Sequence, residues 1–155
     1  MKKYYLAYGS NLNLNQMYIR CGNAKVVGTT ILKDYRLVYK GSQEGYSYLT
    51  IEPKEGSYVP LGIYKISSKD EQKLDIYEGY PELYYKKYID VELNGKMEKA
   101  LIYIMHNEYE KHLPAYFYLE CCKQGYRDFG FDEKILEDAY MYTLKNLENK
   151  VIKCK

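Results

Sequence analysis

Residues 84–105 read YYKKYIDVELNGKMEKALIYIM, two strand-like runs on either side of Asn94-Gly95. Asn-Gly between such runs is the strongest short-range signal for a two-residue hairpin, because both turn positions need a positive φ that these residues tolerate. The stretch therefore predicts an antiparallel strand pair. Side chains alternate along a strand, so Ile89, Val91 and Leu93 share one face, and Tyr85 shares it by parity and is expected to point inward.

Upstream of the hairpin, Ser67-Ser68 opens a helix whose first turn holds Asp70 and Glu71, and Gly79 with Pro81 ends it, so SKDEQKLDIYE makes about three turns. Earlier still, strand signals lie at 25–40, 46–52 and 58–66, each bounded by Gly, Pro or Ser, in the outline of a β-meander. Residues 3–8 are nearly continuous apolar and aromatic, as in a strand covered on both faces, and Asn13 then caps a short helix through Arg20. Downstream, the period turns helical from Pro114, with one helix ending at Gly125, a loop YRDFGF, and a last helix over 132–147. The expectation is a single α+β domain spanning residues 1–155. Its sheet would be a small closed or nearly closed, mostly antiparallel β-barrel of about six strands, with flanking helices.

Composition narrows the function classes. A formal charge of +2 comes from 23 Lys and Arg, only three of them Arg, set against 21 acids spread along the chain, which argues against nucleic acid. Four cysteines, at 21, 121, 122 and 154, show no zinc spacing and read as reduced thiols of a cytoplasmic protein. The opening MKKYYLAYGS has too short an apolar part for a signal peptide, and ALIYIM at 100–105 is far too short to span a bilayer. Tyrosine is abundant, 22 residues against no Trp, and a genome rich in A and T accounts for such a total, so only individual tyrosines carry argument.

Two local features ask for a function. YGSNL, residues 8–12, follows the first strand, yet neither GxGxxG nor GxxxxGK[ST] is present to make it a phosphate loop. Glycine at position 9 would let successive N–H groups converge on an anion, with Ser10 and Asn11 adding side-chain donors. Glu78 is the second feature. It is the last residue before the Gly79 cap, where helix carbonyls carry partial negative charge, and it sits among Tyr77, Tyr80, Tyr84 and Tyr85. The helix end and burial would both raise its pKa, as a general base at neutral pH requires.

With YGSNL, VGTTILKDYRLVY, YLTIEP, VPLGIYKI and LDIYEG followed by Tyr85, the chain resembles the γ-glutamylcyclotransferase family, also called AIG2-like, over residues 4–131. Tyr103, and Tyr118 with Gly125 and Gly130, fit the family's C-terminal pattern. The resemblance implies a small β-barrel with a cavity at one end, and a reaction in which a γ-glutamyl amide or peptide closes to 5-oxoproline and releases an amine. It implies Glu78 as the single acid/base. Tyr8, Gly9, Ser10, Asn11 and Leu12 form the matching loop, and Tyr85 and Tyr103 match tyrosines around the substrate. No cofactor or metal is implied. The implied partner is a small γ-glutamyl molecule, with no nucleic acid or membrane and with a homodimer possible. Gly22 stands where many members have Pro, and YGSNL places the chain nearer the dipeptide-type or generic bacterial branch. Whether the loop holds the oxyanion or the substrate carboxylate stays open, as does the leaving amine.

Two rival readings differ in class. A non-catalytic carboxylate-binding module on the same fold would keep the loop but need no base. A metal-dependent hydrolase would rest on His106 and His112, whose spacing is not a standard ligand pattern and which no third His or nearby Cys completes.

Overall fold

The computed structural model describes residues 3–153. Strand β1 (Lys3–Ala7) leads through a 3₁₀ turn (Ser10–Leu12) into α1 (Leu14–Arg20), which Asn13 caps by accepting from the Gln16 N–H. Two long strands follow, β2 (Lys25–Gly41) and β3 (Ser47–Ile66), and then α2 (Ser68–Glu78). The predicted hairpin forms as β4 (Tyr84–Leu93) and β5 (Lys96–Met105), with Leu93 opposite Lys96 across Asn94-Gly95, both at positive φ. A two-residue strand β6 (Glu110–Lys111) and the helices α3 (Tyr116–Phe129) and α4 (Lys134–Lys153) complete the chain.

The six strands form one sheet in the order β4-β5-β1-β3-β2-β6. This corrects the expected barrel in two respects. The sheet is mixed, because β1 pairs parallel with β5 and antiparallel with β3. The chain connectivity explains the parallel pair: α2 is a crossover helix that returns the chain to run as β4 in the same direction as β3, so β5, the second arm of the hairpin, runs along β1. The sheet is also open. Closure would need β4 to pair with the far edge, where β6 offers only Glu110 and Lys111 against Gly41 and Lys40.

The expected meander differs as well, since the strand signals at 46–52 and 58–66 belong to the single strand β3, which runs through Pro53 and Pro60. Proline removes a donor, but β1 pairs with β3 only from Gly62 to Ile66, so Pro53 and Pro60 lie where the second edge of β3 has no neighbouring strand. The interruption read between them is a bulge beside Asp34, whose carboxylate accepts from the Gly56 N–H at 3.0 Å. In the C-terminal part, the helix expected to end at Gly125 continues to Phe129 and is closed by Gly130 at φ 71. Gly125 is instead a contact glycine: a Cβ there would stand 2.5 Å from the Asn13 backbone nitrogen.

The core joins both sheet faces to the helices, with Leu6, Leu12, Leu61, Ile63, Leu74 and Leu136 fully buried. Each such side chain contributes roughly 1.5–3 kcal/mol of burial. Tyrosine hydroxyls inside this core hold backbone rather than water: Tyr8 donates to Tyr103 O at 2.6 Å, Tyr64 to Asn11 O at 2.7 Å and Tyr84 to Leu49 O at 2.7 Å. These three bonds tie the 8–12 loop, β3 and the hairpin together at one end of the sheet.

Candidate functional site

That end of the sheet carries a cavity of about 250 Å³, between the 8–11 loop and the C-terminus of α2. The helix stops there because Gly79 adopts φ 67. Its N–H donates to Ile76 O and that of Tyr80 to Asp75 O at 2.9 Å, closing the last turn. Glu78 is thereby left as the final helical side chain, on the cavity wall.

Protein surrounds the Glu78 carboxyl on the sides away from the cavity, and burial raises its pKa to about 7, against the opposing pull of Arg20. Burial is the leading cause of that rise. The hydroxyls of Tyr5, Tyr8, Tyr77, Tyr84 and Tyr103 lie near enough to feel the Glu78 charge, and desolvation holds all five above the usual phenol range. Asn11 Nδ2 donates to the Tyr5 hydroxyl at 2.8 Å and reaches Glu78 Oε1 at 3.4 Å.

The loop itself is a short 3₁₀ turn, with Leu12 N–H bonded to Gly9 O and Asn13 N–H to Ser10 O, both at 3.0 Å. Among the described residues, the N–H groups of Gly9, Ser10 and Asn11 have no hydrogen-bond acceptor. They are the open donors of a helix start, not an anion-binding nest built on left-handed glycine, because Gly9 has φ −128. Glycine is needed at this position for a different reason. A Cβ on Gly9 would meet the Tyr118 hydroxyl at 3.2 Å and Leu49 at 3.5 Å, and that hydroxyl accepts from the Leu49 N–H.

Of the residues singled out in the sequence, Tyr8, Gly9, Ser10, Asn11, Glu78 and Tyr103 all border the cavity. Leu12 does not. It is fully buried in the core, where its side chain packs close to Gly62 and Gly125. Tyr85 also lies elsewhere: it is 37% exposed and its ring sits beside His106, while its neighbour Tyr84 is 4% exposed and lines the cavity. The parity argument chose the wrong face at this end of β4, because Tyr84 and Lys86 turn toward the core and α2 there, whereas Val91 is buried from the opposite face further along. Tyr84→Phe, which strips the bond to Leu49 O, is expected to lower unfolding free energy by about 1–2 kcal/mol. Tyr85→Phe should leave it within about 0.5 kcal/mol. Urea melts of the two variants check this, and equal losses would contradict the assignment.

Other groups gain their role only from partners distant in sequence, among them Asp75, one turn before Glu78, which sequence reading takes as forming only a local hydrogen bond. Asp75 accepts from the Tyr103 hydroxyl at 2.6 Å and pairs with Lys86 at 2.8 Å, so it anchors a tyrosine of the wall and is not a second free carboxylate. Its i−3 spacing from Glu78 was visible, but its partners come from β4 and β5. Tyr5 also borders the cavity, and composition alone could not separate it from the other tyrosines; Tyr77 and Tyr118, named in the sequence for other reasons, border it too. His106 and His112 do not assemble a centre: His106 Nε2 lies 2.7 Å from Pro81 O, and among the described residues no group of three His, Cys, Asp or Glu side chains could hold a metal ion. Cys21, Cys121 and Cys122 carry free thiols, and Cys154 lies outside the described residues. No helix among the described residues is long and apolar enough to cross a membrane.

An open α+β sheet with a polar cavity at one end, walled by a YGSN turn and a raised carboxyl, defines a recognisable class of small domain. The Gamma-glutamyl cyclotransferase, AIG2-like family matches residues 5–122, and the chain belongs to this family. Among solved structures, a protein titled gamma-glutamyl cyclotransferase is 25% identical with a TM-score of 0.77, over 90% of this chain and 86% of that one. The uncharacterized protein loc79017 from Homo sapiens is 25% identical with a TM-score of 0.76, over 89% of this chain and 86% of that one. YkqA from Bacillus subtilis shares the fold at 20% identity and a TM-score of 0.69, over 92% of this chain and 54% of that one. Comparison with curated proteins finds no match.

Proposed function

We propose that the protein converts a γ-glutamyl amino acid or amine to 5-oxoproline and the free amine, with Glu78 as general acid and base. The observation that carries this reading is the placement of the Glu78 carboxyl and the turn of Gly9, Ser10 and Asn11, with its open N–H donors, on the walls of one cavity, where burial raises the carboxyl's pKa. Family membership supports it.

The chemistry follows from the charges. The substrate α-amine is an ammonium at neutral pH and must lose a proton before it attacks. Ionised Glu78 takes that proton; the amine nitrogen then bonds to the γ-carbonyl carbon, closing a five-membered ring, and the carbonyl electron pair moves onto oxygen. When the oxygen re-forms its double bond, the C–N bond to the leaving amine breaks as its nitrogen takes the proton from Glu78; the carboxylate so freed then accepts the second proton of the ring nitrogen and passes it to the departing amine, which leaves as an ammonium beside a neutral lactam. A carboxyl near 7 suits both transfers, because it is populated in either state at the working pH. The open N–H donors suit the oxyanion or the substrate α-carboxylate. Tyr8, Tyr84 and Tyr103 would enclose the glutamyl chain and hold it bent, which raises the rate by orientation because nucleophile and electrophile belong to one molecule.

Incubation with γ-glutamyl amino acids, γ-glutamyl amines and glutathione, with 5-oxoproline detected by mass spectrometry, tests the proposal. Stoichiometric 5-oxoproline and amine from at least one substrate is the expected result. Binding without turnover across the panel would favour the carboxylate-binding module instead. Gly9→Val puts a branched side chain against the Tyr118 hydroxyl and Leu49. We expect it to weaken ligand binding about tenfold or more with the circular dichroism spectrum retained. Wild-type affinity in that variant, measured by calorimetry, would remove the loop from the site.

A further inference from the structure

We infer that Arg20, which stands behind the cavity wall, is a positioning residue that fixes the Asn11 amide with its NH₂ toward Glu78. The inference rests on the reading of Glu78 given above. Arg20 is the last residue of α1, and its guanidinium donates from NH1 to Asn11 Oδ1 at 2.6 Å. An arginine has donors and no acceptors, so this bond decides which end of the amide faces it: the oxygen must, and the nitrogen is turned the other way. The turned nitrogen is the one that donates to the Tyr5 hydroxyl at 2.8 Å and reaches Glu78 Oε1 at 3.4 Å. An ionised Glu78 favours the same orientation, but a protonated one does not; Arg20 fixes it in both states, since the flipped amide would aim its NH₂ at the guanidinium.

The same guanidinium is held in place from a second side. Its central carbon lies 3.6 Å from the centre of the Tyr77 ring, and the Tyr77 hydroxyl is 3.0 Å from Ser10 Oγ. Arg20 thus ties the first helix to both the 8–11 loop and the last turn of α2, the two elements whose separation sets the cavity. A planar, stacked cation suits this position better than a lysine, which has no rigid fork to hold two directions at once.

Arg20 also acts on Glu78 by charge. The titratable groups facing Glu78 are the hydroxyls of Tyr5 and Tyr8 from β1, Tyr77 from its own helix, Tyr84 from β4 and Tyr103 from β5, all neutral at physiological pH, and Arg20 from α1 is the cation that opposes the effect of burial on it. Removing Arg20 therefore takes away both the nearby positive charge and the amide donor, and each loss favours protonated Glu78.

The test is a titration of Glu78 by ¹³C NMR on glutamate-labelled protein, with the resonance assigned through its absence in Glu78→Gln. This readout does not require turnover, so a protein that makes no 5-oxoproline would overturn the proposed function and still test Arg20. Arg20→Met is expected to move the Glu78 midpoint upward by roughly half a pH unit or more. In an active enzyme it should shift the acidic limb of kcat/KM by the same amount. Arg20→Lys, which keeps the charge but not the stacked fork, should recover most of that midpoint and only part of kcat. Arg20→Met and Asn11→Ala should also be non-additive in kcat, the double variant losing little more than the worse single one. An unmoved midpoint in folded Arg20→Met, or losses that multiply in the double variant, would show that Arg20 does not act through Asn11. If Arg20→Met does not fold, Arg20→Lys carries the test alone: its double variant with Asn11→Ala must be non-additive, and multiplying losses overturn the inference.

Discussion

Glu78→Gln is expected to bind a γ-glutamyl ligand within a few-fold of wild type yet to lose about 10²–10⁴ in kcat, the usual worth of a positioned acid–base group. The amide keeps the shape of the side chain and can still lie against Asn11, but it cannot take a proton from the substrate amine. The same substitution should stabilise the fold at neutral and alkaline pH, and the sign follows from the direction of the pKa shift. Burial lifts the folded-state value from 4.5 to about 7, so the native state binds this proton more tightly than the unfolded chain does. Stability from this group is then greatest below about 4.5, falls as pH rises toward 7, and stays low above that. At 1.36 kcal/mol per pKa unit the gap corresponds to at most about 3 kcal/mol, an upper bound because Glu78 borders the cavity. Thermal melts of wild type and Glu78→Gln should coincide near pH 4 and separate by pH 8, with the variant higher. Equal kcat in the two proteins would sink the catalytic assignment, and a variant less stable at pH 8 would make Glu78 a structural residue.

Features encoded by neighbours in sequence were legible. The Asn94-Gly95 hairpin, the Asn13 cap and the α2 boundaries at Ser68 and Glu78 each depend on residues within one turn, and all three form where expected. Glu78 stood out for the same reason, as an acid where helices favour a cation, and burial is the leading cause of its raised pKa. What failed depended on partners distant in the chain. Pro53 read as a strand end because its tolerance is set by where β1 stops pairing, at Ala7 opposite Gly62, which no local cue near Pro53 reveals. Tyr84 and Tyr85 differ by one position, and the choice between them is made by α2 and Leu49. The barrel was inferred from strand count, whereas closure turns on the edges, and β6 has two residues to offer. Arg20 reaches Asn11 across nine residues, through the geometry of a helix that the sequence showed but whose orientation it did not.

Gly125 is the other position where a single change should have a large effect, and it separates helix propensity from packing. Glycine inside a helix costs roughly 0.5–1 kcal/mol relative to alanine, so an exposed mid-helix Gly→Ala would stabilise α3. Here a Cβ would stand 2.5 Å from Asn13 N and 2.7 Å from Leu12 C, and both atoms are backbone that cannot rotate away. The contact is what seats α3 on the 3₁₀ turn, so relief requires α3 or the turn to move. Gly125→Ala is expected to destabilise by about 1–3 kcal/mol despite its better propensity, and Gly125→Val by more. Gly130→Ala supplies the contrast, because its Cβ meets nothing within 4 Å and its cost comes from φ 71 alone, about 1 kcal/mol. The site should report the difference too. Moving the turn displaces the N–H groups of Gly9, Ser10 and Asn11, so folded Gly125→Ala should raise KM for a γ-glutamyl substrate, whereas Gly130→Ala, at the far end of α3, should leave KM unchanged. Gly125→Ala that melts at or above wild type with unchanged KM would mean that α3 does not seat the loop, and the cavity would then owe its shape to the tyrosine hydroxyl bonds of Tyr8, Tyr64 and Tyr84 instead.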